Sequence, residues 1–426
     1  MTYTKDERIL GLSKIWRDAK YNFARFYEVT TDEKWDTLYQ EYLPLVAEAK
    51  EPRRYYELLL RFINTLKDGH TYIIVPDEIR PPYSALFFTS YVDGKHILTD
   101  VPKASSKLLG AEILAVNGIP LQKYLEKNIY PLAWHGNMTS RYVYGLLGYF
   151  IGISEHDSAV ISTDKGDLTA RIGNDVKEED FSSLCGFSVF PVHKDISDRD
   201  RIIDTEELST VITSDNIAVI SFNICCDSVK DLLRSNAEKL KDCSGYIIDI
   251  RRNSGGGDYS CSALASLFLK NYGTGGKFYQ RIYDPDRQAK NSNIDREYTI
   301  INDDQKHFTP PFVTDKPVAV LIGGYTASAA ESFIIMMKSE NRAALIGENS
   351  AGTNGMPVIF RDSLPGGGSY AICTMKCLTD DGFDYNNVGI SPDIYCKNTV
   401  EDCRNGFDRV MDEGLKYVRS EVGKGK

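Results

Sequence analysis

The chain has 426 residues, 42% of them hydrophobic and 26% charged, which fits a globular protein of two or three domains. Its formal net charge of −10 speaks against a nucleic-acid surface. No apolar run approaches the roughly 20 residues of a membrane span, and the start Met1-Thr-Tyr-Thr-Lys-Asp-Glu-Arg8 lacks the apolar core of a signal peptide.

Residues 1 to about 68 read as helices. Leu10, Leu12, Ile15 and Trp16 recur at helical spacing, as do Leu38, Tyr39, Tyr42, Leu43 and Leu45. A third helix starts at Glu51-Pro52, with Tyr55, Leu58, Leu59, Phe62, Ile63 and Leu66 on one face. It is expected to end at Asp68-Gly69, with glycine as the C-terminal cap. His70 follows, then a short strand over 71–75.

Between about 80 and 175 the texture changes to short strands, at 85–91 and 95–98. The stretch Leu108-Leu-Gly-Ala-Glu-Ile-Leu-Ala-Val-Asn-Gly-Ile119 resembles the Gly-Asp-x-Ile…Asn-Gly signature of PDZ domains, with Ala111 in the usual acidic place. PDZ domains add an extended peptide to a sheet edge. An ordinary Asn-Gly hairpin turn is the plainer reading. Residues 176–212, polar and irregular, read as a linker or a surface extension.

From 213 onward strands and helices alternate. Strands are expected at 217–222, 246–250, 318–322 and 343–346, with helices at 228–240, 259–269 and after Ser328. Tyr246-Ile-Ile-Asp-Ile250 is continuously apolar, as in a sheet buried on both faces. Such units imply a mostly parallel sheet with helices packed on it. Further strands are expected at 356–360 and 369–374, and a last helix over about 400–420.

Three separated segments carry candidate chemistry. In Val318-Ala-Val-Leu-Ile-Gly-Gly-Tyr-Thr-Ala-Ser328-Ala-Ala-Glu331 an apolar strand ends in glycines and a helix begins. A serine at such a turn has its hydroxyl lifted from the sheet and its backbone at a helix N-terminus, where negative charge is favoured. A plain helix cap is the alternative. Gly255-Gly256-Gly257 lets backbone N–H groups approach a ligand. It matches neither a Walker loop nor the dinucleotide fingerprint. A serine needs a base, and histidine is the usual one. Of His70, His96, His135, His156, His193 and His307, His70 alone sits at a glycine–strand junction away from charged runs.

Four segments together resemble the carboxy-terminal processing (tail-specific) protease family, which includes the tricorn core protease. They are Tyr246-Ile-Ile-Asp-Ile-Arg-Arg-Asn-Ser-Gly-Gly256, Thr326-Ala-Ser-Ala-Ala-Glu331, Gly347-Glu-Asn-Ser-Ala-Gly352 and Val388-Gly-Ile-Ser-Pro-Asp-Ile394. The resemblance implies an α/β fold with a ClpP/crotonase-like ββα core over 176–426. It also implies an N-terminal helical region over 1–78 and a PDZ-like domain over 79–175. One branch of the family activates its serine with a lysine, and Thr353 stands at that place, with Lys376 as a substitute. The tricorn-like branch uses a histidine, and Leu66-Lys-Asp-Gly-His-Thr71 resembles its segment.

The implied site is therefore Ser328 as nucleophile and His70 as general base. Gly255 or Gly256, with Ala329, would hold the oxyanion. Asn386 or Asp384 would orient the histidine. The implied activity is cleavage of peptides or protein tails through an acyl-enzyme, in a chain that also admits a homo-oligomer. No metal or organic cofactor is implied. A peptide-binding protein of the same fold with decayed catalysis is the alternative. An acyl-CoA enzyme on a crotonase-like core is a third, against which the His70 segment and the PDZ-like insert count. The nine cysteines fit no zinc spacing and read as reduced thiols, which places the chain in the cytoplasm unless an export signal precedes it.

Overall fold

A computed structural model describes residues 2–79, 87–134, 136–137, 158–171, 181–184, 187–196, 200–271, 275–283, 286, 290, 298–301 and 308–424. His135, His156 and His307 lie outside the described residues, as do parts of the expected PDZ-like and linker regions.

Four helices open the chain: α1 (Lys5–Asn22), α2 (Phe26–Val29), α3 (Asp32–Glu48) and α4 (Pro52–Ile63). The Thr4 hydroxyl and the Glu7 carboxylate cap α1 reciprocally, and Pro52 occupies the first turn of α4 as expected. α4 ends earlier than its apolar pattern suggests. It tightens into a 3₁₀ turn over Asn64–Leu66, and the left-handed residue that closes it is Lys67, at φ 54°. Gly69 is not the cap; its smallness serves the site described below.

β1 (Tyr72–Ile74) leaves the helical region. A small module follows with two sheets. One holds β2 (Phe88–Val92), β3 (Lys95–Pro102) and β8 (Phe181–Ser183). The other holds β4 (Ile113–Val116), β5 (Ile119–Pro120), β6 (Ser158–Thr163) and β7 (Gly166–Arg171). The Asn-Gly turn joins β4 to β5, with Asn117 at φ 48° and Gly118 at φ 74°, as a primed hairpin turn requires. Leu98, Val101, Ile113, Val116, Leu125 and Ile161 form the core of the module.

The main sheet has seven strands: β9 (Arg201–Asp204), β10 (Leu208–Ile212), β11 (Ile217–Phe222), β12 (Gly245–Asp249), β15 (Val318–Ile322), β16 (Ala344–Gly347) and β19 (Ile394–Tyr395). Their order is β19-β16-β15-β12-β11-β10-β9. All neighbours from β11 to β19 run parallel, while β9 and β10 turn back antiparallel. The described part of 176–212 is thus an extension of the core rather than a linker. It supplies β8 to the small module and β9 and β10 to one edge of the main sheet, because Ile203, Leu208 and Val211 bury their side chains there.

Every residue of β15 is buried, because helices cover both faces. Val318, Val320 and Ile322 pack with the helices Asp258–Ala265 and Ala329–Ser339. Ala319 and Leu321 face the helix Arg409–Lys424 through Val410, Met411, Leu415 and Val418. The expected last helix is two helices, broken at Asn405-Gly406, where Gly406 takes φ 65°.

A second sheet holds β1, β13 (Lys277–Arg281), β14 (Tyr298–Ile301), β17 (Met356–Leu364) and β18 (Gly368–Leu378). The N-terminal helices pack on it: Leu12, Tyr55 and Phe62 share a core with Leu364, Tyr370 and Ile372. β1 pairs with β18 (Tyr72↔Ala371, Ile73↔Tyr370, Ile74↔Ser369), which carries His70 from the helical region onto the edge of the core. Among the described residues no helix is long and apolar enough to cross a membrane.

Candidate active site

Ser328 immediately precedes the helix Ala329–Ser339, at φ 56° and ψ −124°. A non-glycine residue is rarely found in this region, and such strain clusters at functional turns. The surroundings over-determine the turn. The Ser328 N–H donates to the Thr353 carbonyl at 3.2 Å and to the Glu331 carboxylate at 3.1 Å. Glu331 is fully buried and also accepts from Ser350 Oγ (2.5 Å), Gly352 N (2.8 Å) and Thr353 N (2.9 Å). Burial pushes its carboxyl up to about 7, against the pull of those four donors. Ser328-x-x-Glu331 has the spacing of a capping box, and that signal points to Glu331 from sequence.

His70 comes to this turn from 258 positions upstream, with Nε2 3.0 Å from Ser328 Oγ. Its Nδ1 lies 3.1 Å from the main-chain carbonyl of Asn354. A carbonyl oxygen only accepts, so in the neutral ring Nδ1 carries the proton and Nε2 accepts from the serine hydroxyl. Burial lowers the His70 pKa, while the charge of Asp68 and the bond to Asn354 act the other way. Gly69 is needed for close approach: a Cβ there would stand 2.7 Å from Thr353 Cγ2. The other described histidines are placed elsewhere. His96 is buried in the small module, with its pKa pushed down to about 4 by burial, and His193 lies 3.4 Å from Asp412.

Of the three proposed amides, two are left without an acceptor among the described residues. The Gly255 N–H is already committed to the Asn253 side-chain oxygen at 2.9 Å. Gly255 still lets the chain pass the serine, since a Cβ there would meet Ser328 Cβ at 2.7 Å. Gly256, at φ 132°, is held against the Cys225 carbonyl. Neither the Gly256 nor the Ala329 N–H has an acceptor among the described residues. The Asn253 bond is a local Asx turn, which the Asn-x-Gly spacing foreshadows. Arg251 anchors the loop below, clamped by Asp249 and Asp408 at 2.7 Å each.

Both candidates for the orienting group are placed elsewhere. Asp384 is taken up by Arg25, at 2.5 Å and 2.9 Å, and by Asn354 Nδ2 at 3.2 Å. Burial raises its pKa, but the Arg25 bonds and charge outweigh that and hold it below the usual value. Asn386 donates its N–H to Asp384 at 3.1 Å, and its buried Oδ1 has no partner among the described residues. The reason is the buried guanidinium of Arg25, which the sequence pattern does not announce. Lys376 pairs with Glu28 at 2.7 Å rather than with Ser328. Thr353 occupies the lysine position and contributes only backbone bonds to the turn.

Residues 216–396 match Peptidase family S41. The chain is 26% identical over 187 residues to a carboxy-terminal-processing protease of Bartonella bacilliformis, covering 44% of this chain and 38% of that protein. It is 29% identical over 173 residues to a carboxyl-terminal-processing protease of Picosynechococcus sp., covering 41% of this chain and 36% of that one. The matches thus span well under half the length of these curated relatives. Among solved structures, mature CPAF complexed with lactacystin superposes with a TM-score of 0.68 at 15% identity, over 98% of both chains. The tricorn protease does so with a TM-score of 0.51 at 15% identity, over 98% of this chain and 37% of that one. The segment 216–396 thus matches peptidase family S41, and the curated relatives it aligns with are carboxy-terminal processing proteases.

Proposed function

We propose that this protein is a serine peptidase that cuts peptides or protein tails, with Ser328 as nucleophile and His70 as general base. The observation that carries the reading is the 3.0 Å contact between His70 Nε2 and Ser328 Oγ. The tautomer fits the task, because Nε2 is free to take the hydroxyl proton as Oγ attacks the substrate carbonyl. The oxyanion then lies toward the Gly256 and Ala329 amides, at the start of a helix. His70 next protonates the leaving amine, and water attacks the acyl-enzyme by the same route in reverse.

The finer architecture follows the same proposal. The parallel sheet and its two flanking helices form a ClpP/crotonase-like core. The module around β2–β8 is PDZ-like and holds an extended substrate. The substrate is a peptide or an unfolded protein tail, and the relatives' names give carboxy-terminal processing for those proteins. No cofactor takes part in the proposed steps.

Reaction with a fluorophosphonate probe tests the reading. Labelling of the wild type should vanish in Ser328→Ala and fall by roughly 10²-fold or more in His70→Ala. A folded wild-type protein that takes no label would instead favour a peptide-binding role. The absence of a lysine at 353 is the observation on the side of that second reading.

A further inference from the structure

We infer that Asp68, rather than Asp384 or Asn386, is the carboxylate that positions His70 and balances the imidazolium formed during acylation. The inference rests on His70 being the general base. Asp68 is 2% exposed and accepts the His70 N–H at 3.0 Å through Oδ1. Its Oδ2 is buried and has no hydrogen-bond partner among the described residues. Thr71 and the Arg25 guanidinium already favour the charged form of this buried carboxylate, and a second positive charge close by favours it further. His70 becomes that charge in the transition state.

The other groups around the ring cannot fill this role. The Asn354 carbonyl orients Nδ1 but is neutral. Asp384 is neutralised by Arg25. Glu331 spends both oxygens on the serine turn. The groups that face His70 are Asp68 on its own loop, Asn354 ahead of β17, and Ser328. Those that face Asp68 are His70, Thr71, Arg25 from the loop between α1 and α2, and Cys373 of β18. Burial raises the Asp68 carboxyl and lowers the His70 ring, while each group's charge opposes the shift of the other. Proton transfer from Ser328 to Nε2 leaves an imidazolium beside the Asp68 carboxylate. No further atom moves, so Asp68 acts through the ring as a positioning residue.

The test is the rate of fluorophosphonate labelling against pH in wild type and Asp68→Asn. Asparagine keeps an acceptor for the His70 N–H and removes the charge. A carboxylate raises the pKa of a neighbouring imidazolium. Its loss should therefore move the acid limb of the profile to lower pH by about one unit or more, and reduce the plateau roughly 10- to 100-fold. An unmoved acid limb in a folded Asp68→Asn protein, with His70→Ala inactive, overturns the role of Asp68 alone. Full labelling of His70→Ala would instead remove the general-base reading, and this inference with it. Should Asp68→Asn fail to fold, NMR titration of wild-type protein carrying labelled histidine and aspartate decides the matter. Linked two-step titration of His70 and Asp68 is expected. A single His70 step with Asp68 silent overturns the inference.

Discussion

At the scale of single residues, the turn at Ser328 holds a side chain where glycine would be at ease. The strain at φ 56° and ψ −124° is offset by bonds from Thr353 and Glu331. Ser328→Ala keeps the strain and Ser328→Gly releases it, and both lose the contact to His70. Thermal denaturation should therefore find Ser328→Gly more stable than Ser328→Ala, by roughly 1 kcal/mol or more. Glu331 gives a second expectation. Its carboxyl is raised from 4.5 to about 7 in the folded chain, so between those values the native state binds more protons than the unfolded one. Stability from this group is then fullest below pH 4.5 and is lost as pH rises through about 7. Glu331→Gln removes that pH dependence and turns one amide N–H₂ toward donors, at a cost of about 1–3 kcal/mol. Urea midpoints at pH 5 and pH 8 would check both the slope and its loss.

At the scale of elements, the site is a meeting of loop ends that hold one another. The loop between α4 and β1 lies against the one before β17 so closely that Gly69 faces Thr353 Cγ2. Gly69→Ala should push that loop and His70 away from Ser328, lowering the labelling rate roughly tenfold and stability by about 1–3 kcal/mol. Thr353→Ser removes the offending methyl and should restore most of the rate in the double variant. Parallel kinetics on the two single variants and the double would show the coupling. The misread elements have local causes. α4 closes at Lys67 because Asn64 starts a 3₁₀ turn and its side chain bonds back to the Leu60 carbonyl. The last helix breaks where Asn405-Gly406 offers a left-handed residue. The strands β9 and β10 lack a clean period, because their register shifts between Thr210 and Val211 and breaks the alternation of faces.

At the scale of the whole molecule, the segment that matches the family does not complete the site. Residues 216–396 contain Ser328, Gly256 and Ala329, while His70 and Arg25 come from loops of the N-terminal helical region. Those helices also cover Tyr370 and Ile372 of β18. A fragment spanning 200–424 would expose this apolar face and leave β18 without β1. It should aggregate or bind a hydrophobic dye, and take no fluorophosphonate label despite holding Ser328. Adding the segment 1–79 as a separate chain should recover labelling if the pieces reassociate through the shared core.

Much of the framework was written in short-range patterns. The alternation of buried strands, the Asn-Gly turn at 117–118, the strained serine ahead of its helix and the histidine after Asp68-Gly69 are each set by neighbouring residues, and neighbours are what a sequence displays. The pairing of groups was not. Asp384 has the chemistry to orient a histidine, yet its charge goes to an arginine 359 positions away. Gly255 has the free backbone for an oxyanion, yet its amide goes to Asn253. Buried polar groups take whichever partner the packed chain brings within bonding distance, and that choice belongs to the fold: it left His70 with the Asn354 carbonyl and the carboxylate two residues before it.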